Sequence, residues 1–339
     1  MAIVIKSNNF FEAINEVFFL IKDKGKVRKT RNTESVYIPD LVVIDVKDPT
    51  KFTSYPHPSR KVFPPAQFYE VAWVLSGRND MLGLELVLKR ARQFSDNFHQ
   101  WRGGYGPRIH WNRNIFKVIE LLNKDPETRR AILPIFFPED VEATHWSLDI
   151  PCSIMIHFLP IDDRLDARFF IRSNDAFWGF THINFVLIRT IQRIVAYFSN
   201  KKVGHLQYIA SDLHVYKRHM NRLEKILKSV VFPTLVKSYP WDVFEDNEFD
   251  SPESFFKILQ RDLAVLDYVL MDKSIKKTRN KFLLDSKPTD YLLNSPLRRW
   301  WLPILAWKKS NLEIMKKYID NVEETDVYEA LELWMKKEQ

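Results

Sequence analysis

Apolar residues recur at helical spacing from Asn8 to Lys22, at Phe11, Ile14, Val17, Phe18 and Ile21. One stripe of this kind predicts an amphipathic helix, with Ser7 or Asn8 as its N-cap. Val36 to Val46 is instead dense in valine and isoleucine, which fit a pleated surface, and predicts a strand. Pro56, Pro58, Pro64 and Pro65 then impose an irregular connection, because proline fixes φ and removes a backbone donor. Gln67 to Leu75 carries one acid, Glu70, in a largely apolar run, and predicts a buried helix ended by Gly77.

Gly103, Gly104 and Gly106-Pro107 predict a turn-rich loop. A helix over Ile115–Asn123 is stopped by Asp125-Pro126. Strands are predicted at Ala131–Phe137, Ser153–Leu159, Ala167–Arg172 and Gln207–Ile209. Between the last two lies a long apolar helix, Ile183–Phe198, and the polar cluster Ser211–His219 comes after the last. Beyond Asn221 helical patterns take over, at residues 253–273, 289–308 and 310–337, with Trp300, Trp301, Trp307 and Trp334 as packing residues. Strands interleaved with helices give a mixed α+β class. The change of texture between residues 221 and 250 separates an expected core, 1–220, from a helical extension, 221–339.

Composition sharpens this. With 339 residues, 45% of them hydrophobic, the chain can bury a sizeable core. No apolar run reaches the roughly 18 residues of a membrane span, and Met1–Phe10 lacks the apolar segment of a signal peptide. The single cysteine, Cys152, rules out an intramolecular disulfide and any multi-cysteine metal site. A soluble cytoplasmic protein is the expectation. All eight glycines lie at or before Gly204.

The net charge of +8 is uneven. From Asn221 onward, 20 basic and 20 acidic residues cancel, so the first 220 residues hold the whole excess. That excess is either a solvating surface or the mark of an anionic partner, a nucleic acid or a small phosphate ester. Its densest stretch, Lys22–Arg31, has six basic residues around Gly25 and no interleaved aromatics. A phosphate-gripping loop explains it at least as well as a DNA-binding arm.

A lone cysteine is most simply a small buried hydrophobe. The surroundings of Cys152 offer another reading. Arg129-Arg130 precede the strand before it, and Arg172-Ser173-Asn174-Asp175 end the strand after it. Arginine beside a thiol favours the nucleophilic thiolate, and an arginine cluster offers forked donors to phosphate.

These residues carry a resemblance. Arg129-Arg130, Pro151-Cys152, Arg172-Ser173-Asn174-Asp175 with Gly179, and Asp212-Leu213-His214-Val215-Tyr216 with His219 follow the order of the thymidylate synthase family, which includes the deoxycytidylate and deoxyuridylate hydroxymethylases. Tyr69 to Gly77 resembles that family's helix with its catalytic glutamate, Gly106-Pro107 its active-site loop, and Thr30-Arg31-Asn32-Thr33 its phosphate loop. The resemblance covers roughly residues 8 to 220.

It implies a large twisted mixed sheet covered by helices, dimerising sheet to sheet. It also implies roles. Cys152 would add to C6 of a pyrimidine nucleoside monophosphate, and C5 would attack a one-carbon unit carried by 5,10-methylenetetrahydrofolate. Arg31, Arg172 and Ser173 would hold the phosphate, with Arg129 and Arg130 reaching the partner subunit's site. His214 and Tyr216 would hold the sugar, and Glu70 would organise water and proton transfer. Asp175 would orient the base or the folate. Trp101 or Phe98 would stand beside the folate.

Four departures from the family pattern concern base choice, proton transfer and closure. Ser153 comes directly after the cysteine where histidine is usual, and no tyrosine comes after Gly106-Pro107, although Tyr105 precedes it. The base-reading asparagine is one position late at Asn184, with Ile183 in register and His182 as another reader. No short closing tail is recognisable. Hydroxymethylation, in which water captures the methylene, suits a site without that tail better than hydride transfer does. The competing readings are a nucleotide-binding or assembly protein on the same scaffold, and a nucleic-acid-binding protein.

Overall fold

The computed structural model describes residues 1–30, 33–60, 62–229, 242–244, 247–272 and 287–338, so Arg31 of the expected phosphate loop lies outside the described residues. The chain enters through β1 (Ile3–Ser7) and α1 (Phe10–Lys24), whose apolar stripe is buried as its spacing predicts. The cap is Asn9, later than expected; its side chain accepts from the Glu12 amide at 3.0 Å, and Glu12 reaches back to the Asn8 amide at 2.8 Å. The basic stretch after α1 is not a loop. β2 (Lys26–Lys29) pairs antiparallel with β3 (Glu34–Ile38). The single strand expected over Val36–Val46 is two, β3 and β4 (Val42–Val46), because the chain bends at Pro39-Asp40 and proline cannot donate to a ladder.

α2 (Pro64–Leu75) opens on two prolines, whose missing donors cost little in a first helical turn. Gly77 lies just past its end at φ 80°, the left-handed conformation glycine adopts freely. The short α3 (Leu84–Val87) and α4 (Tyr105–His110) lead to α5 (Asn114–Lys124), β5 (Ile132–Pro134) and α6 (Pro138–Ala143). Gly106 and Pro107, expected in a loop, lie in the first turn of α4. Next come β6 (Ser153–Ile161), β7 (Arg164–Ile171) and the two-residue β8 (Asn174–Asp175). A π-helix, Ala176–Asn184, then runs on as α7 (Phe185–Phe198). β9 (Lys202–Ala210) and β10 (Leu213–Tyr216) complete the strands.

The strands form a mixed six-stranded sheet, β1-β4-β9-β7-β6-β5, and a four-stranded sheet, β2-β3-β10-β8. Alternate residues of the large sheet, such as Ile156, Phe169 and Tyr208, are fully buried in the core. Those of its second face, such as Met155, Phe170 and Ile209, pair in one row and stay half-buried. The helical remainder is α8 (Met220–Lys228), α9 (Pro252–Met271), α10 (Lys287–Leu293), α11 (Arg298–Lys309), α12 (Glu313–Tyr318) and α13 (Asp326–Glu338). α9, α11 and α13 all pack on α2. No described helix is long and apolar enough to cross a membrane.

Candidate active site

Cys152 sits immediately before β6, and its carbonyl accepts from the Arg172 amide at 2.9 Å. The Arg172 guanidinium is fixed beside it: Nε donates to the Pro151 carbonyl at 2.9 Å and Nη2 to the Ile150 carbonyl at 3.0 Å. Burial pushes the Cys152 thiol up, and Asp149 and Asp212 act in the same direction. Arg172 opposes them, as the sequence suggests, but burial outweighs it.

Arg172 also lines a cavity of about 390 Å³ with Thr30, Thr33, Ser147, Leu148, Ile150 and Tyr216. Ser173 is half-buried at the end of β7 and does not line it. Tyr216 comes from β10, which pairs parallel with β8 so that His214 lies opposite Asp175. His214 Nδ1 is 2.8 Å from Asp212 Oδ1, and its ring meets Tyr216 edge to face. Asp212 also pairs with Arg28 of β2, which lies over the Tyr37 ring. One cation of the basic stretch is therefore engaged with the site's own acid.

Tyr105, one residue before Gly106-Pro107, points at the cysteine. As the first residue of α4 it turns inward, and its hydroxyl oxygen accepts from the Ser153 amide at 3.3 Å, next to Cys152. Burial holds its phenol protonated, and the neighbouring Cys152 adds to that. Glu70 comes from α2 and accepts no hydrogen bond among the described residues. Desolvation alone raises it to about 7.

Asp175 caps the π-helix by accepting from the Phe177 amide at 2.9 Å. Burial raises it, while His214 and Arg60 pull the other way. The π-helix explains the late asparagine. A π-turn closes one residue later than an α-turn, so it absorbs one extra residue without displacing the helix after it. Asn184 thereby lies towards the Tyr208 hydroxyl, which is buried without a hydrogen bond and has Tyr105 and Cys152 around it. Ile183 packs against the core, and His182 is driven down to about 3 by burial and Arg60, so its ring is neutral.

Other expected site residues lie apart. Arg129 and Arg130 are exposed and away from the Arg172 cavity, Arg130 reaching Asp125 at 3.4 Å. Trp101 packs edge to face on Trp73 and donates to the Ala91 carbonyl at 2.8 Å, while Phe98 is exposed. Two residues were missed. Arg60 is fully buried, stacks over Phe177 and Trp178, bonds Thr181, and leaves Nη1 unpaired near Asp175. Asp149 lies near Cys152 and Tyr105. The Ser59-Arg60-Lys61 run and the acid three residues before the cysteine were the available signals.

The glutamate-bearing helix, the cysteine and the arginine of the cavity, in that chain order, outline a thymidylate-synthase-like site. The family model described as thymidylate synthase matches residues 8–278, and the chain belongs to that family. The match runs past residue 220, into α9. Similar proteins include the deoxyuridylate hydroxymethyltransferase of Delftia phage PhiW-14, 33% identical over 170 residues, 47% of this chain and 48% of that one. That of Pseudomonas phage M6 is 27% identical over 226 residues, covering 65% and 63%. That of Bacillus phage SP01 is 31% identical over 188 residues, covering 52% and 49%. The chain thus spans from about half to just under two thirds of these relatives. The crystal structure of thymidylate synthase from T4 phage shares the fold, with a TM-score of 0.54 at 21% identity over 63% of this chain and 79% of that one.

Proposed function

We propose that the protein transfers a one-carbon unit to C5 of a pyrimidine nucleoside monophosphate, deoxyuridylate first among them, and leaves it as a hydroxymethyl group. The observation that carries this reading is the adjacency of thiol and cavity. Arg172 lines the cavity and is bonded to the two carbonyls that precede Cys152. A phosphate held there by Arg172, with Ser173 next to it in the chain, leaves the nucleotide ring within reach of the sulfur. The names of the similar phage proteins support deoxyuridylate and the hydroxymethyl product.

In this reading Cys152 adds to C6, and its electron pair makes C5 the nucleophile. Binding a dianion away from the reacting carbon fixes the attack geometry. His214 and Tyr216 hold the sugar. Glu70, poised at about 7, exchanges protons near neutrality. Asn184, an amide with both donor and acceptor, reads the base edge.

The residues present also fit a folate. Asp175 is a partly buried acceptor for ring N–H groups, and Arg60, stacked over the half-buried Trp178, has an orphaned buried donor near it. Trp101 lies further off, against Trp73. When bound, 5,10-methylenetetrahydrofolate supplies carbon at the formaldehyde oxidation level. The half-buried row Met155, Phe170 and Ile209 suits a homodimer, in which Arg129 and Arg130 reach the partner's phosphate.

The test is direct. Purified protein is incubated with methylenetetrahydrofolate and dUMP, dCMP, UMP or CMP, and the nucleotides are weighed by mass spectrometry. A hydroxymethyl gain on dUMP is expected. A methyl gain overturns the product, and no gain on any nucleotide overturns the activity.

A further inference from the structure

Two contacts frame Cys152. On one side the Tyr105 hydroxyl holds the Ser153 amide at 3.3 Å. On the other, the Gly103 amide donates to Asp149 Oδ2 at 2.9 Å. The second contact is built tightly. A side chain at Gly103 would bring its Cβ to 2.7 Å from Asp149 Oδ1 and 2.9 Å from the Asp149 carbonyl, so glycine alone lets the carboxylate sit there. Arg102 and Ser147 hold the Asp149 backbone carbonyl at 3.2 and 3.3 Å. The side chain keeps Oδ1 without a hydrogen bond among the described residues, close enough to Cys152 and Tyr105 to act on both electrostatically. The groups facing it are Asp96, Arg102, Arg108, Cys152, Tyr105 and the Gly103 amide. Asp149 is thus a partly buried acid three residues before the nucleophile, with one oxygen held by the Gly103 amide and the other free of a hydrogen bond among the described residues.

We infer that Asp149 is the base that delivers water to the methylene carbon in the last covalent step. This rests on the proposed function. Water's oxygen bonds the exocyclic methylene carbon on C5, and Asp149 takes the water proton. The electron pair of the exocyclic double bond moves onto C5, then restores the C5–C6 double bond and expels Cys152 as thiolate. Asp149 passes its proton to solvent, replacing one that the departing tetrahydrofolate amine takes up. No oxidant or reductant is needed. Glu70, on the separate helix α2, is left for the earlier proton transfers.

The experiment separates the early steps from the late one. Wild type, Asp149→Asn, Asp149→Leu and Asp149→Glu are given dUMP tritiated at C5 with methylenetetrahydrofolate and an added small thiol. Tritium release, hydroxymethyl product and thiol-trapped nucleotide are counted, and folate-free dUMP binding is measured by calorimetry. The wild type is expected to form one hydroxymethyl group per tritium released. Asp149→Asn and Asp149→Leu are expected to bind dUMP and release tritium within about threefold of wild type. Their hydroxymethyl product falls by about 100-fold, the usual scale of a lost general base, and the thiol adduct takes its place. Asp149→Glu restores part of the product. A wild-type ratio of product to tritium in Asp149→Asn overturns the assignment. Loss of binding or of tritium release in both variants also overturns it, by giving Asp149 an earlier or structural role. A wild type that releases no tritium overturns the proposed function, and the assignment falls with it.

Discussion

Tyr69 and Glu70 are neighbours on α2, yet they serve two differently built regions. Tyr69 faces the C-terminal helices. Its hydroxyl donates to Asp267 of α9, and Arg78 donates to the other Asp267 oxygen at 2.6 Å. Nearby, Asp262 accepts from Tyr291 and Trp301 at 3.0 Å each and from Ser295. At the far end, Asp326 accepts from the amides of Thr53 and Ser54. In this region Asp262 and Asp267 each accept hydrogen bonds on both oxygens, while Asp326 takes both amides on Oδ2 and leaves Oδ1 unpaired. In the Cys152 cleft Asp212 is paired with Arg28 and His214, but other polar groups among the described residues are not. Glu70 has no hydrogen-bond partner, Asp149 uses one oxygen, and Arg60, Ser153 and Asn174 each bury an unpaired polar atom. Paired charge stabilises a fold, whereas unpaired charge in a cleft costs stability and awaits a ligand.

Replacing Cys152 by alanine is the sharpest way to break that contrast. Turnover should fall by about 10⁴-fold or more while the thermal midpoint stays near wild type, read by single-turnover assays and calorimetry. Glu70→Gln comes next, with an expected loss of about 10²- to 10³-fold in kcat. The same variant should be more stable than wild type above neutral pH. Its folded pKa, raised from 4.5 to about 7, means the folded state binds the extra proton between those values. Stability is thus lost as pH rises through that window, on the order of 3 kcal/mol if burial acts fully, and glutamine removes the loss. Urea unfolding at pH 5 and pH 8 checks the sign.

Asp267→Ala should do the reverse. It strands Tyr69 and Arg78, so unfolding free energy should drop by about 3 kcal/mol, with kcat within about tenfold. A large kcat loss with little change in stability would erase the distinction between the two regions. The smallest effect is expected at the exposed Arg113–Glu253 pair, 2.8 Å apart. Glu253→Gln should leave both the urea midpoint and turnover unchanged.

Much of the fold was legible because burial imposes a period. The stripe of α1, the apolar run of α2 and the alternation of β6 and β7 each mark a buried face. What failed was local. The bend at Pro39-Asp40 hides inside a valine-rich run, and Asn9 rather than Asn8 or Ser7 caps α1 because only Asn9 directly precedes the helix. The site was legible where several residues act as a block, as at Arg172 to Asp175. It was not where the chain's path decides. Charge density near Lys22–Arg31 does not tell that Arg28 turns to Asp212. The acid three residues before Cys152 is visible in the sequence, but not that the Gly103 amide holds its carboxylate. Asn184 was read as out of register, because register along a sequence assumes one kind of helical turn.

The π-helix Ala176–Asn184 carries a consequence for ancestry. A turn that stores one residue is a one-codon hinge in evolutionary time. Gaining or losing a residue there exchanges Ile183 and Asn184 beside Tyr208, while β8 before it and α7 after it keep their places. In the proposed site, where Asn184 reads the base, such a single insertion or deletion exchanges the reading residue without the repacking that core substitutions demand.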